Sequence, residues 1–285
     1  MEAKRLALIG FGRMGEAMAP LLAREWSLLV YDCDPARREV AARSQYSVFA
    51  SITELQDASV LVLALPGPVE VREVISQITT SNHLIIDMTS IDVATAKEAA
   101  QLCALCNCRY VEAPVLGGPP QVGAWTFLVG GAEEDIQVAT AVFSLLGAPV
   151  VFGRVGAGSQ AKLLNNILTG LNSAAVAEVL ALATRLGTDI GALQRAIQHS
   201  PSAGRNAVLE IRVPQWIAGT LKDTFSMQLM LKDMRLALAM AQEVNQPMFL
   251  SVIGLQLFQG AVTNGWGERD IGFLVNALGY AANAL

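Results

Sequence analysis

Short apolar runs punctuate the first half of the chain: Leu6-Ala7-Leu8-Ile9, Leu28-Leu29-Val30-Tyr31, Val60-Leu61-Val62-Leu63, Leu84-Ile85-Ile86, Arg109-Tyr110-Val111, Phe127-Leu128-Val129 and Val150-Val151-Phe152. Between them apolar residues fall at helical spacing. Strands with no polar face, alternating with helices, imply a mostly parallel sheet covered on both sides, a doubly wound α/β fold. Ser51-x-x-Glu54 has the spacing of a helix capping box, and Pro68 stands just ahead of a helical run to Ile78. Past Gly158 no strand pattern recurs, and helical periodicity runs through 163–186, 190–197, 227–244, 249–262 and 271–285. The join is Val155-Gly156-Ala157-Gly158-Ser159, so residues 1–156 are expected to form the α/β domain and 157–285 an all-helical one. The first helix of the second half would run about 28 residues before Gly187, about 42 Å at the α-helical rise, too long to stay in the first domain. It is read as an interdomain helix. Its faces around Ala174-Ala175-Val176-Ala177 suit close packing between domains or subunits.

Composition mainly excludes. The chain has 285 residues, enough for two domains, and with 53% apolar and 16% charged residues it is not disordered. A net charge of −5, with no basic cluster denser than Arg37-Arg38, argues against a nucleic-acid partner. The longest apolar-looking stretch, 167–184, carries Asn172 and Glu178, so it reads as a buried soluble helix and no membrane is expected. A strand pattern begins by Leu6 with no basic, apolar leader before it, and the cytoplasm is the expected location. Cys103, Cys106 and Cys108 give a C-x-x-C-x-C spacing, with Cys33 apart. The two histidines, His83 and His199, are distant in sequence, so the cysteines are read as reduced thiols at a helix end and no metal site is expected.

The chemistry begins where the first strand runs into Gly10-Phe11-Gly12-Arg13-Met14-Gly15 and then a helix, with Asp32 closing the next strand. Strand, glycine triplet, helix and acid in this order form the dinucleotide fingerprint of a Rossmann domain. Gly10 permits the tight turn, Gly12 lets the backbone approach a pyrophosphate, and Gly15 lets helix and strand pack closely. Phe11, Arg13 and Met14 complete the cofactor-contacting segment. The Asp32 carboxylate suits a ribose 2′-hydroxyl and repels a 2′-phosphate, so NAD is expected over NADP. Arg37 and Arg38, a helical turn further on, are read as solvated charges.

Four ordered stretches, residues 10–18 (GFGRMGEAM), 112–118 (EAPVLGG), 156–166 (GAGSQAKLLNN) and Lys232-Asp233, resemble the β-hydroxyacid dehydrogenases over essentially the whole chain. The resemblance implies an oxidoreductase interconverting a small β-hydroxy acid, 3-hydroxyisobutyrate-like, and its semialdehyde. A homodimer or homotetramer is the expected assembly. The resemblance makes Lys162 the acid/base and gives Asn166 a supporting hydrogen bond to substrate. It matches Leu65 and Pro66 to the loop over the nicotinamide, Ser90 to a cofactor contact, and Phe225 and Lys232 to residues that close the cleft.

Lys162 and Asn166, four apart on a helix, share one face, and a lysine desolvated beside a cofactor would have its pKa lowered toward the range useful for proton transfer. A plain surface lysine is the alternative. The backbone N–H groups of Gly117 and Gly118 would be free to bind a substrate carboxylate, or the pair makes a simple turn. Core packing is the alternative for Leu65, Pro66 and Phe225, and a surface ion pair for Lys232-Asp233. Leu116 departs from the family pattern, standing where a carboxylate-binding serine is usual, so the pocket should favour apolar substituents. His199 precedes Ser200-Pro201 and reads as a solvated loop residue, which leaves no His–Asp pair for the proton. Two other functions stay open: an imine reductase, for which a residue other than lysine would be expected at 162, and a non-catalytic dinucleotide-binding module.

Overall fold

The alternation within the first apolar run already sets two layers. In β1 (Arg5–Ile9) Leu6 and Leu8 enter one core, with Met18, Trp125 and Phe143, while Ala7 and Ile9 enter another, with Val71, Ile75 and Ala99. A strand that buries both faces has no polar side to alternate, which is why these runs read as continuous apolar residues. The computed structural model describes residues 4–55, 57–78 and 82–279, and divides into two compact units, Met1–Leu163 and Leu164–Leu285.

In the first unit β1 is followed by α1 (Arg13–Leu22), β2 (Ser27–Tyr31), α2 (Pro35–Arg43), β3 (Ser47–Val48), β4 (Val60–Leu63), α3 (Pro68–Ser76), β5 (Leu84–Asp87), α4 (Val93–Leu105) and β6 (Arg109–Glu112). Then come β7 (Val115–Leu116), β8 (Trp125–Gly130), α5 (Glu133–Leu146), β9 (Gly147–Gly153) and the start of α6 (Ala157–Arg185). Strands β3-β2-β1-β4-β5-β6 form a parallel sheet, β8 pairs antiparallel with β6 and β7, and β9 pairs parallel with β8. Ile9, Leu63, Asp87 and Glu112 stand in register at the carboxyl ends of four neighbouring strands. The loops that follow them therefore leave the same edge, where open α/β sheets bind ligands.

Two local expectations change. Ser51-x-x-Glu54 caps only a single 3₁₀ turn, Ile52–Glu54, with the Ser51 hydroxyl accepting the Thr53 N–H at 3.2 Å. β4 starts at Val60 and leaves no length for a helix. The run at 150–152 is not covered on both faces: Val150, Val151 and Phe152 lie on the edge strand β9 and are exposed. The two-residue strands β3 and β7 are too short to leave a pattern.

The second unit holds the rest of α6, then α7 (Ile190–Gln198), a π turn (Val208–Arg212) running into α8 (Val213–Ile217), α9 (Met227–Glu243), α10 (Phe249–Ala261) and α11 (Leu274–Ala277). Glycines bring its helices close. A Cβ on Gly170 would stand 2.9 Å from Met234 Sδ, and one on Gly254 would stand 3.1 Å from Met234 Cε. Trp216 on α8, an element without a clear sequence period, is buried with its indole N–H donated to Asn276 Oδ1 at 2.7 Å. The run expected at 271–285 becomes a 3₁₀ turn, Ile271–Phe273, and α11; residues 280–285 lie outside the described residues. By length and hydropathy α6 is apolar enough to cross a membrane, and half of its most apolar window is buried in the protein.

Candidate active site

The glycine-rich turn is built by contact at two glycines and by space at the third. Gly10 has φ +98°, and a Cβ there would stand 2.4 Å from the Ala64 carbonyl oxygen; one on Gly15 would stand 2.1 Å from that of Gly10. At Gly12 a Cβ would meet nothing within 4 Å, and Gly12 caps α1 with no side-chain hydrogen bond. The open space at Gly12, with the positive end of the α1 dipole behind it, fits a dinucleotide pyrophosphate. Phe11 is buried and Met14 packs against the same core, so this segment reaches outward through its backbone, while Arg13 is exposed.

Asp32, at the end of β2, ties that turn down. Its Oδ2 accepts the Phe11 N–H at 2.6 Å and its Oδ1 the Asp34 N–H at 2.8 Å. A carboxylate oxygen has a second acceptor position, so both can still receive a hydroxyl. Arg37 is exposed, but Arg38 is not a free helix charge: its guanidinium donates to the carbonyls of Asp32, at 2.6 Å, and Cys33, at 3.1 Å. The loops after β4 and β5 are joined in the same manner. Leu65 N–H donates to Thr89 Oγ1 at 3.2 Å, Thr89 N–H to Asp87 Oδ1 at 2.9 Å, and the Tyr110 hydroxyl to Asp87 Oδ2 at 2.8 Å. Burial first, and Asp87 next, push the Tyr110 hydroxyl well above its ordinary range, so it stays a neutral donor. Leu65 and Ser90 are half-buried here and Pro66 is exposed.

Lys162, in the second turn of α6, donates from Nζ to the Val115 carbonyl at 2.7 Å. It is half-buried and engaged with β7, not a free surface lysine. Leu116 follows in β7, half-buried. Gly117, at φ +126°, is required because a Cβ would collide with Trp125 Cδ1 at 2.6 Å. The expectation of two free glycine N–H groups is corrected at Gly118, whose N–H goes to Gln121 Oε1 at 2.9 Å while its carbonyl takes the Trp125 indole N–H at 2.7 Å. The 3₁₀ turn Pro119–Gln121 folds the glutamine back onto its own cap.

The second unit gathers another set. Asn166 Nδ2 donates to Asp233 Oδ2 at 2.6 Å, and Asn165 Nδ2 donates to Asn166 Oδ1 at 3.0 Å, so both amide ends of Asn166 are oriented. Asp233 is 1% exposed, and Lys232 Nζ stands 3.1 Å from its Oδ1, an ion pair out of line for a hydrogen bond. This is not a surface pair. Phe225, half-buried, donates its N–H to Asp270 Oδ2 at 2.9 Å. Asp270, fully buried, also holds Thr224, Gly272 and the Arg212 guanidinium. The sequence reading gave no role to Glu112, Asp87, Asp233 or Asp270. Asp87 and Glu112 each end an apolar strand, which is a signal; Asp233, within a helix, and Asp270, just ahead of a turn, have charged neighbours and carry none.

Among the described residues no three His, Cys, Asp or Glu side chains are grouped to hold a metal. All four cysteines are free thiols, with Cys33 exposed and Cys103 and Cys108 buried. His199 is exposed at the C-cap of α7, its Nδ1 2.8 Å from the Arg195 carbonyl.

Comparison with known proteins decides the family. Residues 5–156 match the model of the NAD binding domain of 6-phosphogluconate dehydrogenase, and residues 156–278 match the model described as NAD-binding of NADP-dependent 3-hydroxyisobutyrate dehydrogenase. The 2-(hydroxymethyl)glutarate dehydrogenase of Eubacterium barkeri is 30% identical over 95% of this chain and 93% of its own. The chain belongs to the β-hydroxyacid dehydrogenase family. Another β-hydroxyacid dehydrogenase relative, 2-hydroxy-3-oxopropionate reductase of Escherichia coli (strain K12), is 29% identical over 98% of each chain. A solved structure of Mycobacterium tuberculosis 3-hydroxyisobutyrate dehydrogenase with L-serine, 25% identical, matches at a TM-score of 0.86 over 97% of this chain and 99% of that one.

Proposed function

We propose that this β-hydroxyacid dehydrogenase-family chain is an NAD-dependent oxidoreductase that interconverts a small 3-hydroxyisobutyrate-like acid and its semialdehyde, with Lys162 as acid/base. The observation that carries the reading is Lys162 Nζ, held 2.7 Å from the Val115 carbonyl beside Leu116 and Gly117. The names of the relatives agree: 2-(hydroxymethyl)glutarate, 2-hydroxy-3-oxopropionate and 3-hydroxyisobutyrate each carry an alcohol or aldehyde carbon β to a carboxylate.

Bound nicotinamide supplies hydride acceptance and donation at its C4, the part of the chemistry no side chain performs. The Gly10–Gly15 turn and the start of α1 receive the pyrophosphate, and Asp32 the ribose hydroxyls. Leu65, Pro66, Ser90, Phe225 and Lys232 are assigned to cofactor contact. Lys162 takes the proton of the substrate hydroxyl as the neutral amine during oxidation and returns it from the ammonium during reduction, and the charge of the ammonium so formed stabilises the alkoxide. Asn166, oriented by Asp233, supplies a hydrogen bond to the substrate. Gly117 and Gly118 border its carboxylate, the latter once Gln121 yields its N–H. Leu116 replaces a hydroxyl donor with an apolar side chain and so favours an alkyl substituent over a polar one.

The test follows absorbance of reduced nicotinamide across 3-hydroxyisobutyrate, 3-hydroxypropionate, glycerate, 4-hydroxybutyrate and serine, and across a cyclic imine with reduced cofactor. Turnover should be best with 3-hydroxyisobutyrate, and Leu116→Ser should improve glycerate relative to it. Lys162→Ala should lower kcat by roughly 10² to 10⁴ with cofactor affinity unchanged, and Lys162→Arg should not rescue it because arginine does not give up its proton. Silence across the panel with intact cofactor binding would overturn the enzyme reading in favour of a binding module.

A further inference from the structure

We propose that Glu112 is the positioning residue for Lys162, a role that rests on the acid/base reading of that lysine. Glu112 ends β6, is 1% exposed, and spends its whole carboxylate on the start of α6. Its Oε1 accepts the N–H groups of Gly156 at 2.5 Å and Gly158 at 2.8 Å. Its Oε2 accepts the Ser159 N–H at 3.2 Å and the Ser159 hydroxyl at 2.5 Å. The first N–H groups of a helix have no acceptor of their own, and a negative charge there is further favoured by the helix dipole.

The surroundings are shaped for this contact. A Cβ on Gly130 would stand 2.2 Å from Glu112 Oε1, one on Gly158 would stand 2.2 Å from the Leu128 carbonyl oxygen, and Gly156 adopts φ +101°. Burial pushes the Glu112 carboxyl above its ordinary range, and the Ser159, Gly158 and Gly156 donors oppose that shift.

Capping alone would need no such anchor near the reacting lysine, but the same two segments meet a second time. Three residues after Glu112, the Val115 carbonyl receives Lys162 Nζ, and Lys162 lies three residues after Ser159. At the helical rise these two contacts on α6 are about 4.5 Å apart along its axis. The carboxylate fixes the height and rotation of the first turn, and Nζ is thereby set against the strand that carries Leu116 and Gly117. An amide in place of the carboxylate would turn its NH₂ toward backbone donors and lose at least the Ser159 N–H bond, or those of both Gly156 and Gly158.

The chain has five lysines, Lys4, Lys97, Lys162, Lys222 and Lys232, so ¹³C-reductive methylation gives a resolvable spectrum in which Lys162 is assigned by its loss in Lys162→Ala. In Glu112→Gln the Lys162 resonance should move toward those of the exposed lysines. The kcat with 3-hydroxyisobutyrate should fall roughly 10²-fold, the cost of a small misplacement of a reacting group, with cofactor affinity unchanged. Glu112→Asp, which keeps the charge with one methylene less reach, should restore most of the loss. An unmoved resonance with wild-type kcat in Glu112→Gln overturns the proposal, as does a loss of kcat that only tracks the folded fraction. If Glu112→Gln does not fold, Ser159→Ala, which removes one of the four bonds, must shift the resonance in the same direction; an unshifted resonance there overturns it too. Wild-type kcat in Lys162→Ala would instead defeat the acid/base reading, with the resonance in Glu112→Gln still judging the positioning.

Discussion

At the scale of single residues, the proposed preference for NAD over NADP rests on Asp32. Its carboxylate is held from both oxygens by the Phe11 and Asp34 N–H groups, so it cannot swing away from an approaching 2′-phosphate without giving up those bonds. The kcat/KM with NAD should exceed that with NADP by at least about tenfold, or about 1.4 kcal/mol, and Asp32→Ala should narrow the gap. A wild-type preference for NADP would transfer the assignment to Arg38 or Arg37. A second residue-scale expectation concerns the thiols. Burial, with Cys108 next, pushes Cys103 from 9.0 to about 12. The unfolded chain ionises this thiol from about pH 9 and the native one only near 12, so stability from this group is lost as pH rises across that interval. Cys103→Ala should flatten the alkaline fall in stability measured by urea unfolding. At pH 8 a thiol reagent should label Cys33 first, and Cys33→Ser should abolish the fast phase.

At the scale of elements, Asp270 organises the approach to α9. It accepts from Thr224, Phe225 and Gly272, each within two residues of an end of the Ser226–Asp270 bridge, and from Arg212, far from both in sequence. Removing it strands a guanidinium only 18% exposed. Asp270→Ala should therefore destabilise by about 3–5 kcal/mol, read as a lowered urea midpoint with an unchanged slope. The long regular elements were legible in advance because their periodicity is repeated many times: α9 and α10 lie within a residue of their expected spans, and α6, 29 residues long, matches the expected helix of about 28 residues before Gly187. Short ones were not. β3 and β7 have two residues each, and the turn at Ile52–Glu54 carries a cap signal with no room behind it.

At the scale of the whole molecule, the second unit leaves apolar side chains in rows. On α6, Leu164, Leu168, Ala175, Val179 and Leu182, with Leu186 just past its end, are exposed at three-, four- and seven-residue steps, the spacing of a helix seam, and on α10 Phe249, Leu250, Val252 and Ile253 are exposed. Light scattering should give a mass at least twice the 30.2 kDa of one chain. Leu182→Asp and Phe249→Asp should lower that mass. A monomer in the wild type would show that these rows have no second copy as partner.

The sequence by itself determined the two halves, the parallel sheet and the dinucleotide turn, because each rests on a local requirement: a strand buried on both faces, a helix with one apolar face, a glycine where a Cβ cannot fit. It also carried Lys162 and Leu116 to notice through ordered motifs. The tertiary structure alone decided which polar groups meet. Glu112 reaches donors 44 to 47 residues away, and Asn166 finds Asp233 across 67. Gly118 lost its N–H to Gln121, and β9 came to lie at an edge although its residues read as core. Periodicity encodes how much apolar surface a segment must hide. It carries no record of which distant donor will satisfy a buried carboxylate, because that pairing exists only once the chain has closed and water has been excluded.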